Sequence, residues 1–313
     1  MEHKRSSLLY KLIQMGKVGR YFFTRLQRLF IFLILSGLWS SLAAAGNTVS
    51  TIPHSVSLQG IPNRLPTAIT GSQFAIQTSG MTGRERQKAA LEELLGGNVP
   101  SFLRHLKPVH LSQQMPDGQR IDAVIWVTPD YLAIGSDEDF LRIPLSYPSA
   151  VQAARAFGCL LPTRKMVDAI CEQSTCRLKP DPMPPGPMMR SSEYYWKHQQ
   201  KILTRREEAG CVLGDLVSGH KKDVVLTNRL RQKPGRIAIY GWHRLNGEPI
   251  QPLSTVHGER YADYSHGIRL IHGVVWINGK PRSVLDVLQD SRLAPVLTYE
   301  GMIKRPLRLL KLK

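Results

Sequence analysis

The sequence is short of acidic side chains, and this shortage gives the chain a strong positive charge. It has 24 aspartates and glutamates against 42 lysines and arginines, a formal net charge of +18. It also lacks a long apolar segment, because the run at residues 29–35 is much shorter than the ~20 residues of a membrane-spanning helix. Membrane contact is therefore expected only through the N-terminal segment, if that segment is not cleaved.

The N-terminus has the pattern of an export signal. Seven lysines and arginines precede the apolar run, and Ala43, Ala44 and Ala45 follow it. A basic region, a short apolar region and a small-residue cleavage site are typical of secretory signal peptides. The pattern predicts a signal peptide over residues 1–45 and an exported protein of the periplasm, cell envelope or extracellular space, with an uncleaved anchor as the alternative.

The charge also indicates a class of partner. Residues 1–45 carry seven basic residues and one acid, so the rest of the chain stays strongly basic. An exported protein of this charge is expected to meet cell-wall polymer or another anionic envelope component rather than nucleic acid.

Four cysteines follow the predicted signal, and their even number in an oxidising compartment indicates disulfides. They are Cys159, Cys171, Cys176 and Cys211. Four cysteines allow three pairings. Cys171 and Cys176 could close a small loop, which would leave Cys159 and Cys211 as a second pair or as two free thiols.

Composition divides the exported part into a tether and a folded body. Residues 46–80 are rich in Ser, Thr, Pro and Gly and predict an extended tether. Residues 81–313 predict a single α+β domain. Within it, five prolines at residues 179–187 indicate a polyproline-like strap between two halves of the fold.

Local signals place the secondary structure of that domain. Thr82 and Glu85 have the spacing of a helix capping box, and Asn278-Gly279 is a strong hairpin turn. A strand is expected at residues 261–271. Further helices are predicted at residues 148–157, 163–173, 193–208 and 284–288. The predicted class is α+β, with an antiparallel sheet in the C-terminal half and helices packed on one side.

Residues 219–272 carry an unusual density of titratable side chains. Five of the ten histidines lie there: His220, His243, His257, His266 and His272. The spacing His257-x5-Asp263-x2-His266 suggests a metal site, for which zinc is the candidate ion. Asp263 and His266 would face opposite sides of a continuous strand, so a shared ion requires a turn at residues 263–265. Without a metal, no cofactor is expected.

Two parts of this segment resemble motifs of known cell-wall enzymes. The run Ser265-His266-Gly267-Ile268-Arg269 resembles the Ser-His-Gly-Cys-x-Arg motif of L,D-transpeptidases, but Ile268 occupies the position of their nucleophilic cysteine. The metal spacing is similar to that of VanY-type D-Ala-D-Ala carboxypeptidases. It departs from theirs because Asp263 comes one residue early and no His-x-His follows. Neither family is assigned.

Cys159 is the candidate nucleophile. It precedes a helix whose first position is predicted at Pro162, and the positive end of a helix dipole favours the thiolate. The order of this cysteine and the later His257 or His266 is similar to that of papain-like and NlpC/P60-type peptidases, in which a histidine from the sheet acts as base. The alternative is a half-cystine or a small buried apolar residue.

The same region offers candidate binding residues. Lys221, Lys222 and Asp223 precede a predicted strand and could bind a carboxylate, or form a solvated loop. Trp242 and Tyr264 belong to an aromatic series that could stack on a sugar or fill the core. Arg269 completes the set of predicted binding residues.

Clustered titratable groups are typical of hydrolytic sites. We therefore expect a cell-envelope hydrolase of peptide or amide bonds. His266 would be the general base, Asp263 or His257 its orienting or metal-binding companion, and Cys159 the nucleophile if catalysis is covalent. The alternative is a non-catalytic envelope protein that binds anionic cell-wall polymer.

Overall fold

The structure, a computed structural model, describes residues 52–306 of the chain. The predicted signal peptide at residues 1–45 lies outside the described residues. Between residues 52 and 306, none of the helices combines the length and apolar content needed to cross a bilayer.

The elements alternate between short strands and helices along the chain. The strands are β1 Lys107–Gln114, β2 Arg120–Val127, β3 Ala133–Gly135, β4 Phe140–Arg142, β5 Cys159–Leu160, β6 Cys176–Arg177, β7 Val217–Ser218, β8 Lys222–Val224, β9 Ile239–His243, β10 Pro249–Ser254, β11 His266–Gly267, β12 Ile271–His272, β13 Val274–Ile277 and β14 Lys280–Ser283. The helices are α1 Gly71–Gln77, α2 Gly83–Leu95, α3 Tyr147–Ala156, α4 Arg164–Gln173, α5 Ser192–Glu208, α6 Arg229–Gln232, α7 Val284–Gln289 and α8 Ala294–Leu297. Two 3₁₀ turns lie at Ser101–Arg104 and Pro187–Arg190.

Two sheets carry most of the strands in the described part of the chain. The larger has the order β14-β13-β2-β12-β5, with β1 antiparallel to β2 along its full length. The smaller has the order β10-β9-β8-β11, and its last pair is parallel. Helix α4 packs against both β1 and β9 and so joins the two sheets. The predicted class, α+β with antiparallel sheets and helices packed on them, is confirmed.

The central strand β2 shows why this packing is stable. Its alternate residues Ile125 and Val127 lie in the main core, while Val124 and Trp126 pack against Trp276 on the other face. A strand turns successive side chains to opposite faces, so β2 is covered on both. Each fully buried aliphatic side chain contributes about 1.5–3 kcal/mol of transfer free energy.

Several local predictions are confirmed. Thr82 and Glu85 form a reciprocal capping box at the start of α2. Asn278 and Gly279 have φ of 48° and 78° and join β13 to β14. Both signals act over a few residues, so the surrounding fold does not alter them.

Two backbone predictions are wrong. Residues 71–77 of the predicted tether form α1, in which Thr70 caps the helix and Phe74 is buried. Residues 261–271 do not form one strand, since only β11 and the first residue of β12 fall within them. Polar side chains that bond the backbone locally interrupt the strand, as the site geometry shows.

The Cys171–Cys176 loop, one of the pairings that the sequence left open, does not form. Cys176 is bonded to Cys211, 35 residues away, while Cys159 and Cys171 are free and buried. Cys171 lies within α4, where its side chain faces the core. Cys176 lies on β6, beyond the end of that helix.

Candidate functional site

A tight turn brings Asp263 and His266 to the same place. The carboxylate Oδ1 of Asp263 accepts hydrogen bonds from the Ser265 backbone N at 2.8 Å and from Ser265 Oγ at 2.6 Å. The His266 backbone N donates to the Asp263 carbonyl at 3.1 Å. The turn at residues 263–265 that a shared site requires is therefore present.

The parallel pairing of β8 with β11 sets Lys222 beside this turn. His266 is opposite Lys222 in the register, and Gly267 is opposite Asp223. A Cβ on Gly267 would lie 2.5 Å from the Tyr131 ring, so glycine lets β11 approach that ring. We call the resulting group the His266 cluster: Lys221, Lys222, His257, Tyr261, Asp263 and His266.

His266 is the innermost imidazole of the cluster. Its side chain is 0% exposed, and neither ring nitrogen has a hydrogen-bond partner within residues 52–306. Burial lowers the pKa of His266. The charge of Asp263 opposes this shift, and the charge of Lys222 adds to it. A neutral ring with two unused nitrogens can bind or accept a proton from a molecule that reaches it.

A stacked aromatic pair lies over His266. The rings of His257 and Tyr261 are 4.1 Å apart and nearly parallel, and both residues are half-buried. Their centroids lie 6.4 and 5.7 Å from that of His266. Tyr261 Oη donates to Asp263 Oδ2 at 2.9 Å, which fixes the pair over the turn.

Asp263 has little capacity left for further partners. One of its oxygens accepts from Ser265 and the other from Tyr261. Among the described residues, no group of three His, Cys, Asp or Glu side chains is arranged to hold a metal ion. Zinc at His257, Asp263 and His266 therefore remains a prediction.

The two lysines of the cluster differ in their contacts. Lys221 is buried; its Nζ donates to the Tyr264 carbonyl at 2.5 Å and lies 3.5 Å from His198 Nδ1. Burial lowers the pKa of Lys221 to about 7. Lys222 is half-buried, and its Nζ lies 4.9 Å from the centroid of the Trp242 ring. Burial also lowers the pKa of Lys222, against the attraction of Asp263.

The backbone of β9 is distorted where it meets the cluster. Gly241 and Trp242 have φ of 104° and 55°, and positive φ is rare for a bulky residue such as Trp. Tyr240 and His243 would face opposite sides of a regular strand, yet both reach Asp168 Oδ1, at 2.7 and 3.0 Å. The distortion therefore lets both partners meet one carboxylate.

The Asp168 contact changes the charge of His243. Burial opposes the imidazolium, but the hydrogen bonds to Asp168 and Cys171 outweigh it and raise the pKa of His243 to about 9. Sequence reasoning missed Asp168, because nothing in the local spacing connects it with a histidine 75 residues later.

The predicted nucleophile lies elsewhere. Cys159 is on β5, opposite His272 in the larger sheet, whereas His266 belongs to the smaller sheet. Its thiol donates to the Phe157 carbonyl at 3.3 Å, and burial raises the pKa of Cys159 to about 12. The structure does not bring Cys159 together with His257 or His266.

Two predicted binding residues pack around Tyr131 instead. Asp223 accepts a hydrogen bond from Tyr131 Oη at 2.8 Å, and burial raises its pKa to about 6. Arg269 is fully buried, with its guanidinium 4.3 Å from the Tyr131 ring and a hydrogen bond of 2.9 Å to the Thr128 carbonyl. These contacts support the strand pair that carries Lys222 and His266.

Tyr264 ties the Pro-rich strap to the site. Its hydroxyl accepts from the Met183 backbone N at 2.7 Å and donates to the Met183 carbonyl at 3.2 Å. The ring centroid of Tyr264 lies 6.4 Å from that of Trp242, which places the strap next to the cluster. The predicted aromatic residues Tyr264 and Trp242 therefore lie between the Pro-rich strap and the smaller sheet.

Comparison with known proteins does not assign the chain to a family. No protein-family model, curated protein or solved structure matches this chain.

Proposed function

We propose that the chain is an exported cell-envelope hydrolase of peptide or amide bonds and that the His266 cluster is its active site. The observation that carries the proposal is the buried His266 ring, whose nitrogens have no partner between residues 52 and 306. A buried polar group without a partner costs free energy, and such groups concentrate where a ligand or a reacting molecule completes the bonding.

The cluster contains the proton-transfer groups that amide hydrolysis requires. His266 takes a proton from water as the water oxygen attacks the carbonyl carbon, and the negative charge of Asp263 stabilises the imidazolium that forms. The imidazolium then gives its proton to the leaving amine as the C–N bond breaks, which restores neutral His266.

Substrate entry requires the stacked rings of His257 and Tyr261 to move. His257 and Tyr261 are half-buried rings next to the fully buried His266, and the exposed Arg190 guanidinium lies 5.4 Å from the Tyr261 ring. Displacing this one stacked pair would open the ring of His266 to a substrate and to water. Closure afterwards would exclude bulk solvent, which strengthens the electrostatic interactions inside.

The remaining features of the chain support parts of the proposal. The Cys176–Cys211 disulfide is in keeping with an oxidising compartment outside the cytosol. The proposed chemistry uses water as the nucleophile and does not use Cys159. If zinc takes part, purified protein should contain it in stoichiometric amount by elemental analysis.

Replacement of the central imidazole tests the proposal. The purified protein is incubated with cell-wall polymer and with N-acetylated peptides, and newly formed amino groups are quantified by mass spectrometry. His266→Gln should lower the rate about 10²–10⁴-fold, the usual contribution of a general base. His54→Gln, which changes an exposed histidine, is the matched control and should have no effect.

The same assay distinguishes the alternative function. A non-catalytic binder would sediment with cell-wall polymer and form no new amino groups with any substrate. Hydrolysis that persists unchanged in a folded His266→Gln variant would place the active site elsewhere.

A further inference from the structure

We infer that Lys222 and Trp242 bind a free carboxylate of the substrate, so that the enzyme cleaves the amide bond next to a peptide's C-terminal carboxylate. This inference rests on the proposed hydrolase function. It names the class of substrate, a short peptide with an uncapped C-terminus.

Lys222 is a half-buried cation without an anionic partner among the described residues. The nearest carboxylate to influence it is Asp263, whose two oxygens already accept hydrogen bonds from Tyr261 and Ser265. The Nζ of Lys222 instead contacts the Trp242 ring. A buried charge is unfavourable unless an opposite charge compensates it, so this ammonium is suited to an anion supplied by a ligand.

Trp242, whose ring Lys222 contacts, carries a second donor without a partner. Its indole Nε1 has no hydrogen-bond partner within residues 52–306, and its side chain is 5% exposed. The positive φ of Trp242 is a strained conformation, and such conformations concentrate at binding and active sites. A carboxylate has two oxygens that accept hydrogen bonds, which matches one ammonium and one N–H donor.

The balance of groups around the site favours an anion over a neutral ligand. Burial lowers the pKa of His266, the charges of Lys222 and Lys221 add to this effect, and Asp263 is the carboxylate that opposes it. The exposed Arg190 lies over the Tyr261 ring at the solvent side. Positive charge at the entrance raises the local concentration of anionic substrates.

The pairing of Lys222 with His266 in the sheet limits which bond is cut. The two residues are opposite each other on neighbouring strands, and such strands lie about 4.8 Å apart. One residue of an extended peptide spans roughly 3.5 Å. Side chains opposite each other on neighbouring strands lie on the same face of a sheet, so a carboxylate held by Lys222 would place the last amide bond of a peptide, rather than a bond in the middle of a chain, on the face that carries His266.

A matched pair of substrates tests this inference. N-acetyl-alanyl-alanine with a free carboxylate and the same peptide as its C-terminal amide are compared, each in the L,L and D,D forms. Wild-type protein should cleave the acid about 100-fold faster than the amide, since loss of one partner of a buried charge pair has an effect of this order. Release of alanine or alaninamide is followed by mass spectrometry.

Two variants locate the effect at Lys222. Lys222→Met should slow cleavage of the acid to the rate of the amide, whereas Lys222→Arg, which keeps the charge, should retain part of the preference. Thermal unfolding confirms that both variants are folded. Binding of the same four peptides, measured by calorimetry, should show the same preference for the acid and the same loss in Lys222→Met.

The outcomes separate this inference from the proposed function. Equal cleavage of acid and amide by wild-type protein would overturn the carboxylate site and leave the hydrolase. Acid-selective binding that depends on Lys222, without cleavage of any peptide, would overturn the hydrolase and leave a carboxylate-binding site. Neither cleavage nor binding would overturn both.

Discussion

Two buried histidines of this protein have the same direction of pKa shift and opposite surroundings. Burial lowers the pKa of both His220 and His266. His220 Nε2 lies 3.0 Å from Asp130 Oδ1, in a network that also includes Arg142 and Arg206. The His266 ring has no partner among residues 52–306.

The charge pairing of the two regions explains the difference. In the network around Asp130, one carboxylate accepts from the Arg142 Nη2 at 2.6 Å and from the Arg206 Nη1 at 2.9 Å. In the His266 cluster, Asp263 bonds to neutral hydroxyl and amide donors instead, and Lys222 has no anionic partner. The two regions therefore differ in how their buried charges are compensated: Asp130 pairs with two arginines, whereas Lys222 of the His266 cluster has no anionic partner among the described residues.

Replacing the central carboxylate of the paired region should have the largest effect on stability. Asp130→Asn should lower the free energy of unfolding by about 3–5 kcal/mol, because it leaves buried guanidinium charges without compensation. Chemical denaturation measures the loss. Asp117→Asn, which removes an exposed pair with Arg292, is the control and should cost less than about 1 kcal/mol.

The stability of His266→Gln, measured in the same denaturation assay, tests the difference between the two regions. Its loss of stability should be clearly smaller than that of Asp130→Asn, since the ring it removes has no hydrogen bond to a described residue. If the two variants were equally destabilised, the proposed division between a structural network and a functional cluster would be wrong.

The Asp168–His243 pair should give an intermediate effect that depends on pH. The folded-state pKa of His243, about 9, lies above the usual histidine value of about 6.5, so the imidazolium is favoured in the folded state. Its contribution to stability is fully present below about pH 6.5 and is lost as pH rises through 9. His220, with a pKa lowered to about 4, contributes with the opposite sign, above about pH 6.5.

Asp168→Asn isolates the contribution of His243. Unfolding of wild type and variant is compared from pH 6 to pH 10, and the destabilisation caused by the variant should shrink as pH rises through 9. The Asp117→Asn control should show no such trend in this range. A constant difference across the range would mean that the pair is not charged in the folded protein.

The smallest expected effect concerns the free cysteines. Cys159→Ala should leave the rate of hydrolysis unchanged, because burial raises the pKa of the thiol to about 12 and its partner is a backbone carbonyl. Cys171→Ala, at the other free buried cysteine, is the matched control. Loss of hydrolysis in a folded Cys159→Ala variant alone would restore the covalent mechanism and remove the basis of the His266 proposal.

The candidate site was predictable in its residues but not in its arrangement. The density of histidines in residues 219–272 pointed to His257, Asp263 and His266, which do lie together. Apolar and aromatic residues around Asp263 suggested a continuous strand. Instead, the Asp263 carboxylate accepts hydrogen bonds from both the backbone N and the hydroxyl of Ser265, and this local bonding competes with strand pairing.

Long-range partners were beyond sequence reasoning for a different reason. Asp130 meets Arg206 and His220, and Asp168 meets His243, across separations of 75 to 90 residues. The disulfide likewise joins Cys176 to Cys211 rather than to the nearer Cys171. Sequence spacing carries no information on such contacts, because they depend on which strands pair and which helix faces become buried.

The sequence by itself determined the capped helices, the Asn-Gly hairpin and the positive charge of the chain, because each of these depends on a few neighbouring residues or on composition alone. Only the tertiary structure decided which charges are compensated. The parallel contact of β8 with β11 sets Lys222 beside His266, and the distorted β9 brings Trp242 against Lys222. Burial and pairing belong to the assembled sheet, so they appear only when distant segments have come together.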